Sequence, residues 1–284
     1  MLKLAIQKSG RLYEESMKLI KECGIEVSNN IKDQLKALAT NFPMEVYFLR
    51  DDDIPQYVED GVADIGFVGE NVIYEAGKDV DVVDLLGFGK CRLSIAIKKS
   101  DKYEGVQSLQ GKRIATSYPH IVQGYLANNK IDAEIHTISG SVEIAPGIGL
   151  TDVICDLVSS GSTLFMNGLK EAEIILQSEC ALIRSRHLNT EKEALLEKLL
   201  FRIQTVRKAK NKKYVLMNVP NDKLEAIIKV LPGMKSPTVL PLAAKGWSSL
   251  HTVLSENEFW ENIQELKNAG AEDVLVLPIE KMVI

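Results

Sequence analysis

The chain has 284 residues, 45% of them hydrophobic and 26% charged, with 34 Lys plus Arg against 39 Asp plus Glu for a formal charge of −5. At about 150 residues per domain this length implies two domains or three small ones, and the balance is that of a globular chain and not of a disordered one. So mild an acidic excess excludes a global field for nucleic acid or an anionic membrane, and any anionic ligand must be held by a local cluster of cations.

Residues 2–6 read as a strand and 12–23 as a helix stopped at Gly24. Residues 44–49 form the next strand. Asp52 or Asp53 can then cap a helix that begins at Ile54 and Pro55, since proline lacks only an N–H that the first turn leaves unpaired. Residues 63–68 make a third strand, and Gly69, Glu70 and Asn71 open another helix. This alternation points to an α/β domain with much parallel sheet. The glycine-punctuated stretch 85–90 has the composition of a hinge. A second α/β unit follows, with strands at 91–98, 113–116, 133–138 and 153–158 and a helix at 120–128. The chain is then expected to return to the first unit through a strand at 180–183 and a helix from Glu191 to Lys210.

From residue 208 onward the order is strand, helix, strand, strand, helix, strand, as in a ferredoxin-like module. Its first helix carries Leu224, Ile227, Ile228 and Leu231 on one face. Its second places Phe259, Ile263 and Leu266 at helical spacing, opens with the capping box Ser255 and Glu258, and stops at Gly270. The expected domains are therefore 1–88 plus 178–207, 89–177, and 208–284. Cys23, Cys91, Cys155 and Cys180 lie far apart in apolar surroundings, which suits reduced thiols better than a metal knuckle or a disulfide framework. The N-terminus lacks the apolar length of a signal peptide. No apolar run approaches the roughly 20 residues that span a bilayer. The expectation is a cytoplasmic protein.

The most informative stretch runs from Thr151 to Leu164. An apolar strand delivers Asp156 and then a loop holding Ser159, Ser160, Gly161, Ser162 and Thr163, with a helix beyond. Hydroxyls and free N–H groups so placed form a phosphate cradle. Asp156 is a fork of acceptors suited to paired ribose hydroxyls. No lysine follows the glycine, so this is not a Walker loop. The plainer alternative is a Ser/Thr-rich turn that caps a helix. Glu143 and Asp152 bracket the loop; they are either solvated acids or, with Mg²⁺ between them, partners of a bound phosphate.

A second cluster, Lys8, Ser9, Gly10 and Arg11, follows the first strand at the edge where α/β sheets bind ligands. Arg50 to Asp53 and Gly69 to Asn71 end neighbouring strands and can converge there, while Lys90 and Arg92 flank the hinge. His120, His136, His187 and His251 share no metal-ligand spacing, and no hydrolase or zinc-protease motif is present. Tyr118 can stack on a base, or can simply precede a helix started by Pro119.

These segments together resemble the ATP phosphoribosyltransferase family, the first enzymes of histidine biosynthesis, in its long, self-regulated form. The likeness runs in order through Gln7 to Leu12, Arg50 to Pro55, Asp64 to Asn71, Cys91 to Leu93, Lys112 to His120, Gly140 to Pro146, Ile154 to Leu164 with Asn167 to Leu169, Ser236 to Leu242 and Leu275 to Met282. Thr151 departs from it, standing where the family signature has a smaller residue. The resemblance implies two periplasmic-binding-protein-like α/β domains forming a cleft, plus a C-terminal regulatory domain. It implies that ATP, through adenine N1, and phosphoribosyl pyrophosphate give phosphoribosyl-ATP and pyrophosphate with Mg²⁺. By it, Asp156 and residues 159–163 take phosphoribosyl pyrophosphate. Lys8, Arg11 and Glu143 act in catalysis, and Ser9, Gly10, Arg50, Asp52, Gly69, Glu70 and Arg92 face ATP. Glu143 and, more weakly, Asp152 are the metal candidates. Asn218, Thr238 and Ala271 would bind histidine as inhibitor, Asn218 replacing an acid found in some relatives. Dimers assembling into hexamers are implied as well. The rival readings are a two-lobed binding or sensor protein and a phosphoribosyltransferase acting on a different base.

Overall fold

A computed structural model describes residues 1–28, 34–231 and 236–283. The chain divides into two compact units, Met1–Leu196 and Glu197–Ile284.

In the first unit the elements run β1 (Leu2–Gln7), α1 (Arg11–Glu22), β2 (Lys36–Leu38), β3 (Met44–Leu49), α2 (Ile54–Glu59), β4 (Ile65–Gly69), α3 (Glu70–Ala76) and β5 (Asp81–Leu85). They continue as β6 (Cys91–Lys98), β7 (Arg113–Thr116), α4 (Pro119–Asn128), β8 (Glu134–Thr137), β9 (Val153–Val158), α5 (Ser162–Met166), β10 (Leu169–Ser178), β11 (Cys180–Arg184) and the start of α6 (Thr190–Ala209). The first five strands and β11 form a sheet of order β2-β3-β1-β4-β11-β5, and the rest form a sheet of order β10-β6-β9-β7-β8.

Both sheets are mixed, with parallel pairing confined to β3-β1-β4 and β9-β7-β8. Parallel pairing is present as expected, and three segments that the sequence pattern did not yield, β2, β5 and β10, add antiparallel strands. β10 carries Lys170, Glu171 and Glu173 before an unbroken aliphatic run at 174–176, with bulges at Glu171/Glu173 and Ile174/Leu176, which blur its period of two. The core strands are apolar runs covered on both faces: Leu4, Ala5, Ile6, Ile65, Phe67, Leu182 and Ile183 are fully buried. Parallel pairing puts the carboxyl ends of β1, β3 and β4 on one edge of their sheet, and those of β7 and β9 on one edge of theirs, where ligands collect. Asp53 stands at the start of α2 but its side chain makes no capping bond, and a short turn of 3-10 helix over Asp51–Asp53 replaces the expected cap.

The second unit takes the remainder of α6, then β12 (Lys212–Pro220), α7 (Leu224–Val230), β13 (Thr238–Pro241), β14 (Trp247–Ser255), α8 (Glu256–Asn268) and β15 (Glu272–Pro278). Its sheet has the order β13-β14-β12-β15. Val215, Met217, Val219, Leu250 and Leu254 alternate along the sheet face that packs with Ile227, Phe259 and Leu266 of the two helices. The capping box forms as the sequence requires: Ser255 Oγ accepts from Glu258 N at 3.2 Å, and Glu258 Oε2 accepts from Ser255 N at 2.6 Å. Gly270, with φ +104°, ends this segment where a Cβ would strike the Lys223 side chain.

Candidate active site

The loop after β9 is built on a left-handed residue. Gly161 has φ +81° and turns the chain into α5, so the N–H groups of the first turn have no preceding carbonyl to bond. Ser159, Ser160, Ser162 and Thr163 are exposed on this loop. Ser160 and Ser162 bridge one another at 3.0 Å, a separation that a bound acceptor would replace.

Two cations, one from a helix and one from a strand, converge on Ser159. Arg11, at the start of α1, donates from Nη1 to Ser159 Oγ at 3.3 Å. Arg92, on β6 opposite Val158, donates to the Ser159 carbonyl at 3.1 Å. Arg92 is itself held by a bidentate pair with Glu171, at 2.5 and 2.6 Å, and Ser94 donates to the same carboxylate at 2.7 Å. The Arg92 guanidinium, with its hydrogen bonds to Glu171, holds that carboxyl below its ordinary range. Arg92 thus links Glu171 of β10 to the loop at Ser159. Glu171 escaped the sequence reading because β10 did.

Lys8, Ser9 and Gly10 lie exposed between β1 and α1, and Gly10 at φ +87° needs glycine for its conformation and not for space. Arg50 and Asp52 end β3 on the same edge of the sheet. Desolvation and the Asp51 and Asp53 charges raise the Asp52 carboxyl, while Arg50 acts the other way. Gly69 is required because a Cβ there would meet Asn71 Oδ1. The Glu70 carboxylate accepts from Glu179 N at 3.0 Å. Lys90 likewise faces Glu179, at 3.7 Å.

Asn71, buried at the start of α3, was named only as an end-of-strand residue, yet it ties three segments together. Ser178 donates to its Oδ1 at 2.9 Å and accepts from its N–H at 3.1 Å, while its Nδ2 donates to the Tyr118 hydroxyl at 3.2 Å. Burial, with Asp156 nearby, pushes the Tyr118 phenol far up, so it stays protonated.

The two acids of β9 part company. Burial raises the Asp156 carboxyl and the charge of Glu143 adds to it. Asp152, at the opposite end of the strand, is clamped by Arg113 through Nε at 3.2 Å, Nη2 at 2.9 Å and the backbone N at 3.0 Å, and is held down to about 2. Four residues of strand separate the two by roughly 13 Å. Asp152 is thus an ion-pair partner of Arg113. Among the described residues no group of three or more His, Cys, Asp or Glu is placed to hold a metal.

In the second unit Asn218, on β12, lies opposite Ser249, and Thr238, on β13, lies opposite His251. Ala271, 5% exposed, packs in the core of the second unit.

Comparison with known proteins decides the family. The model described as ATP phosphoribosyltransferase matches residues 50–205, and that described as HisG, C-terminal domain, matches residues 209–281. The ATP phosphoribosyltransferase of Cytophaga hutchinsonii is 61% identical over 282 residues, 99% of this chain and 98% of the relative. The chain belongs to the ATP phosphoribosyltransferase family. It is an enzyme of the step that opens histidine biosynthesis, in the long form that carries both family domains. A chain of the ATP phosphoribosyl transferase (HisG:HisZ) complex from Thermotoga maritima superposes with a TM-score of 0.61 at 30% identity, covering 72% of this chain and 99% of that one. A histidine kinase sensor domain with similarity to periplasmic binding proteins gives a TM-score of 0.51 at 12% identity, covering 73% and 90%, which is a likeness of fold alone. Among the described residues no helix is long and apolar enough to cross a membrane.

Proposed function

We propose that the chain condenses ATP with phosphoribosyl pyrophosphate, giving phosphoribosyl-ATP and pyrophosphate. The observation that carries this reading is the convergence of Arg11 and the braced Arg92 on Ser159, which puts a fixed cation and a rigid hydroxyl loop at one point. In the reaction the C1′–N1 bond forms from the lone pair of adenine N1 as the bond from C1′ to pyrophosphate breaks. Adenine N1 is already a nucleophile, so no side chain has to be converted into one. The demand is electrostatic: an oxocarbenium-like carbon must be tolerated and the leaving group's charge offset. The loop of Ser159, Ser160, Gly161, Ser162 and Thr163 holds the 5′-phosphate, and Asp156 accepts from the ribose hydroxyls. Lys8 and Arg11 offset phosphate charge. Ser9, Gly10, Arg50, Asp52 and Gly69 line the nucleotide side.

Glu143 is the side chain that would hold Mg²⁺, since its charge reaches Asp156 and that ion takes one or two carboxylates together with substrate phosphates. When bound it would offset charge on the departing pyrophosphate. Histidine, bound by the second unit around Asn218 and Thr238, is the inhibitor, and assembly into dimers and hexamers belongs to the same reading.

The test offers the protein phosphoribosyl pyrophosphate and Mg²⁺ with single nucleotides in turn. Pyrophosphate released with ATP alone supports the reading. Release with a different base in place of ATP, or binding of ligands without turnover, sinks it.

A further inference from the structure

The open face of the second unit's sheet carries a carboxylate on an unusual backbone. β15 pairs with β12 in regular register at Leu275 and Leu216, then slips by one residue so that Glu272 stands opposite Asn218. The surplus residue lies at Asp273 and Val274, a β-bulge. Asp273 takes φ +48°, a left-handed conformation that glycine adopts most easily and that aspartate tolerates better than most side chains. The bulge brings its carboxylate to Asn218, whose Nδ2 donates to Asp273 Oδ2 at 3.0 Å. Both groups are accessible, and the remaining lone pairs of the carboxylate are available for further donors.

We propose that Asp273 is the anion that receives the α-ammonium group of the amino-acid effector, a specificity-determining role resting on the histidine reading above. Asn218 is a neutral amide and cannot offset an ammonium charge. Thr238 and Ser249, in the adjoining rows, offer only neutral hydroxyls. The His251 ring has both nitrogens engaged, Nδ1 with Tyr214 Oη at 2.6 Å and Nε2 with Ser249 Oγ at 3.0 Å. That leaves Asp273, already oriented by Asn218, with Glu272 as the competing carboxylate on the neighbouring position. An ionised acceptor facing an ammonium makes a hydrogen bond about twice as strong as a neutral pair. Asn218 thereby acts as the positioning residue.

The experiment is calorimetric titration of the full-length chain with histidine and with imidazolepropionate, which is histidine without its amine. Asp273→Asn should weaken histidine binding about ten- to a hundredfold and leave imidazolepropionate unchanged. Asp273→Gly relaxes the left-handed position and so keeps the fold, and it should give the same split. Glu272→Gln should alter neither ligand. Wild-type histidine affinity in both Asp273 variants overturns the proposal while leaving the effector reading intact. Equal loss of both ligands, or a loss that follows Glu272 instead, overturns it too. Failure of the unaltered chain to bind histidine removes the effector reading and this assignment together.

Discussion

The two ends of β9 carry the same kind of side chain in opposite circumstances. At its start Asp152 is gripped by Arg113 and held down to about 2, a charge already answered within the protein. At its far end Asp156 is half-buried, raised by burial and by Glu143, and makes no ion pair among the described contacts beyond accepting from Leu157 N at 2.8 Å. A carboxylate whose pKa is raised binds its proton more tightly in the folded chain, so ionising it works against folding until a ligand supplies donors. The start of the strand is organised for stability, and its end tolerates strain for the sake of what binds there. Variants at each end test that division, beginning where the effect should be greatest.

Gly161→Val should do the most damage. It forces a β-branched residue into φ +81°, a conformation such side chains rarely adopt, at the turn that shapes the loop. Use of phosphoribosyl pyrophosphate should fall by about a hundredfold or more, since lost hydrogen bonds to a charged group cost about 1.5–3 kcal/mol each. Steady-state kinetics with each substrate varied in turn checks this. Near-normal kinetics would make the loop a helix cap and nothing more.

Asp156→Asn comes next and separates activity from stability. Turnover should drop by about tenfold to a hundredfold through lost acceptors for the ribose hydroxyls. The ligand-free protein should at the same time melt higher at neutral pH, because an unfavourable buried charge has gone. A variant that loses both activity and stability would place Asp156 among the ordinary structural acids.

Much of this contrast is visible in the amino-acid order, and the remainder is hidden for identifiable reasons. Strands β3, β7 and β9 follow from continuous apolar runs, and the hydroxyl loop follows from Gly161 amid serines. β10 does not, because its bulges and its charged start break the period, and with it went Glu171 and its pairing with Arg92. Asp152 and Asp156 look alike in sequence; only the return of β7 alongside β9 brings Arg113 to one and not to the other. The same holds for Asp273, whose approach to Asn218 depends on a one-residue slip in pairing that no local pattern announces. Positions fixed by local chain preference can be read; partners fixed by register cannot.

Asp152→Asn should be silent in catalysis at neutral pH and in its Mg²⁺ dependence, but not in acid. The folded-state pKa of about 2 lies below the ordinary 3.8, so the ion pair's stabilisation is present in full above about pH 4 and is lost as pH falls towards 2. Acid unfolding followed by circular dichroism should show the variant less stable than the parent above pH 4, with the two converging below pH 2. A changed Mg²⁺ requirement would place Asp152 at the metal site.

The smallest effect is expected one residue earlier, at Thr151. This side chain is 1% exposed, and its Oγ1 finds no hydrogen-bond partner among the described residues. A buried hydroxyl without a partner carries the desolvation penalty of a polar group with no return. Thr151→Val keeps the branching and nearly the volume while replacing that hydroxyl with a methyl group, so no cavity opens and no rotamer is forced. The variant should be more stable by about 1 kcal/mol, or roughly 2–4 °C in melting temperature for a unit of this size. Kinetic constants should not move, because the residue lies at the end of β9 remote from the cradle. A fall in kcat/KM with the stability gain would mean that Thr151 reaches the hydroxyl loop through the strand, and that the two ends of β9 are coupled instead of separate.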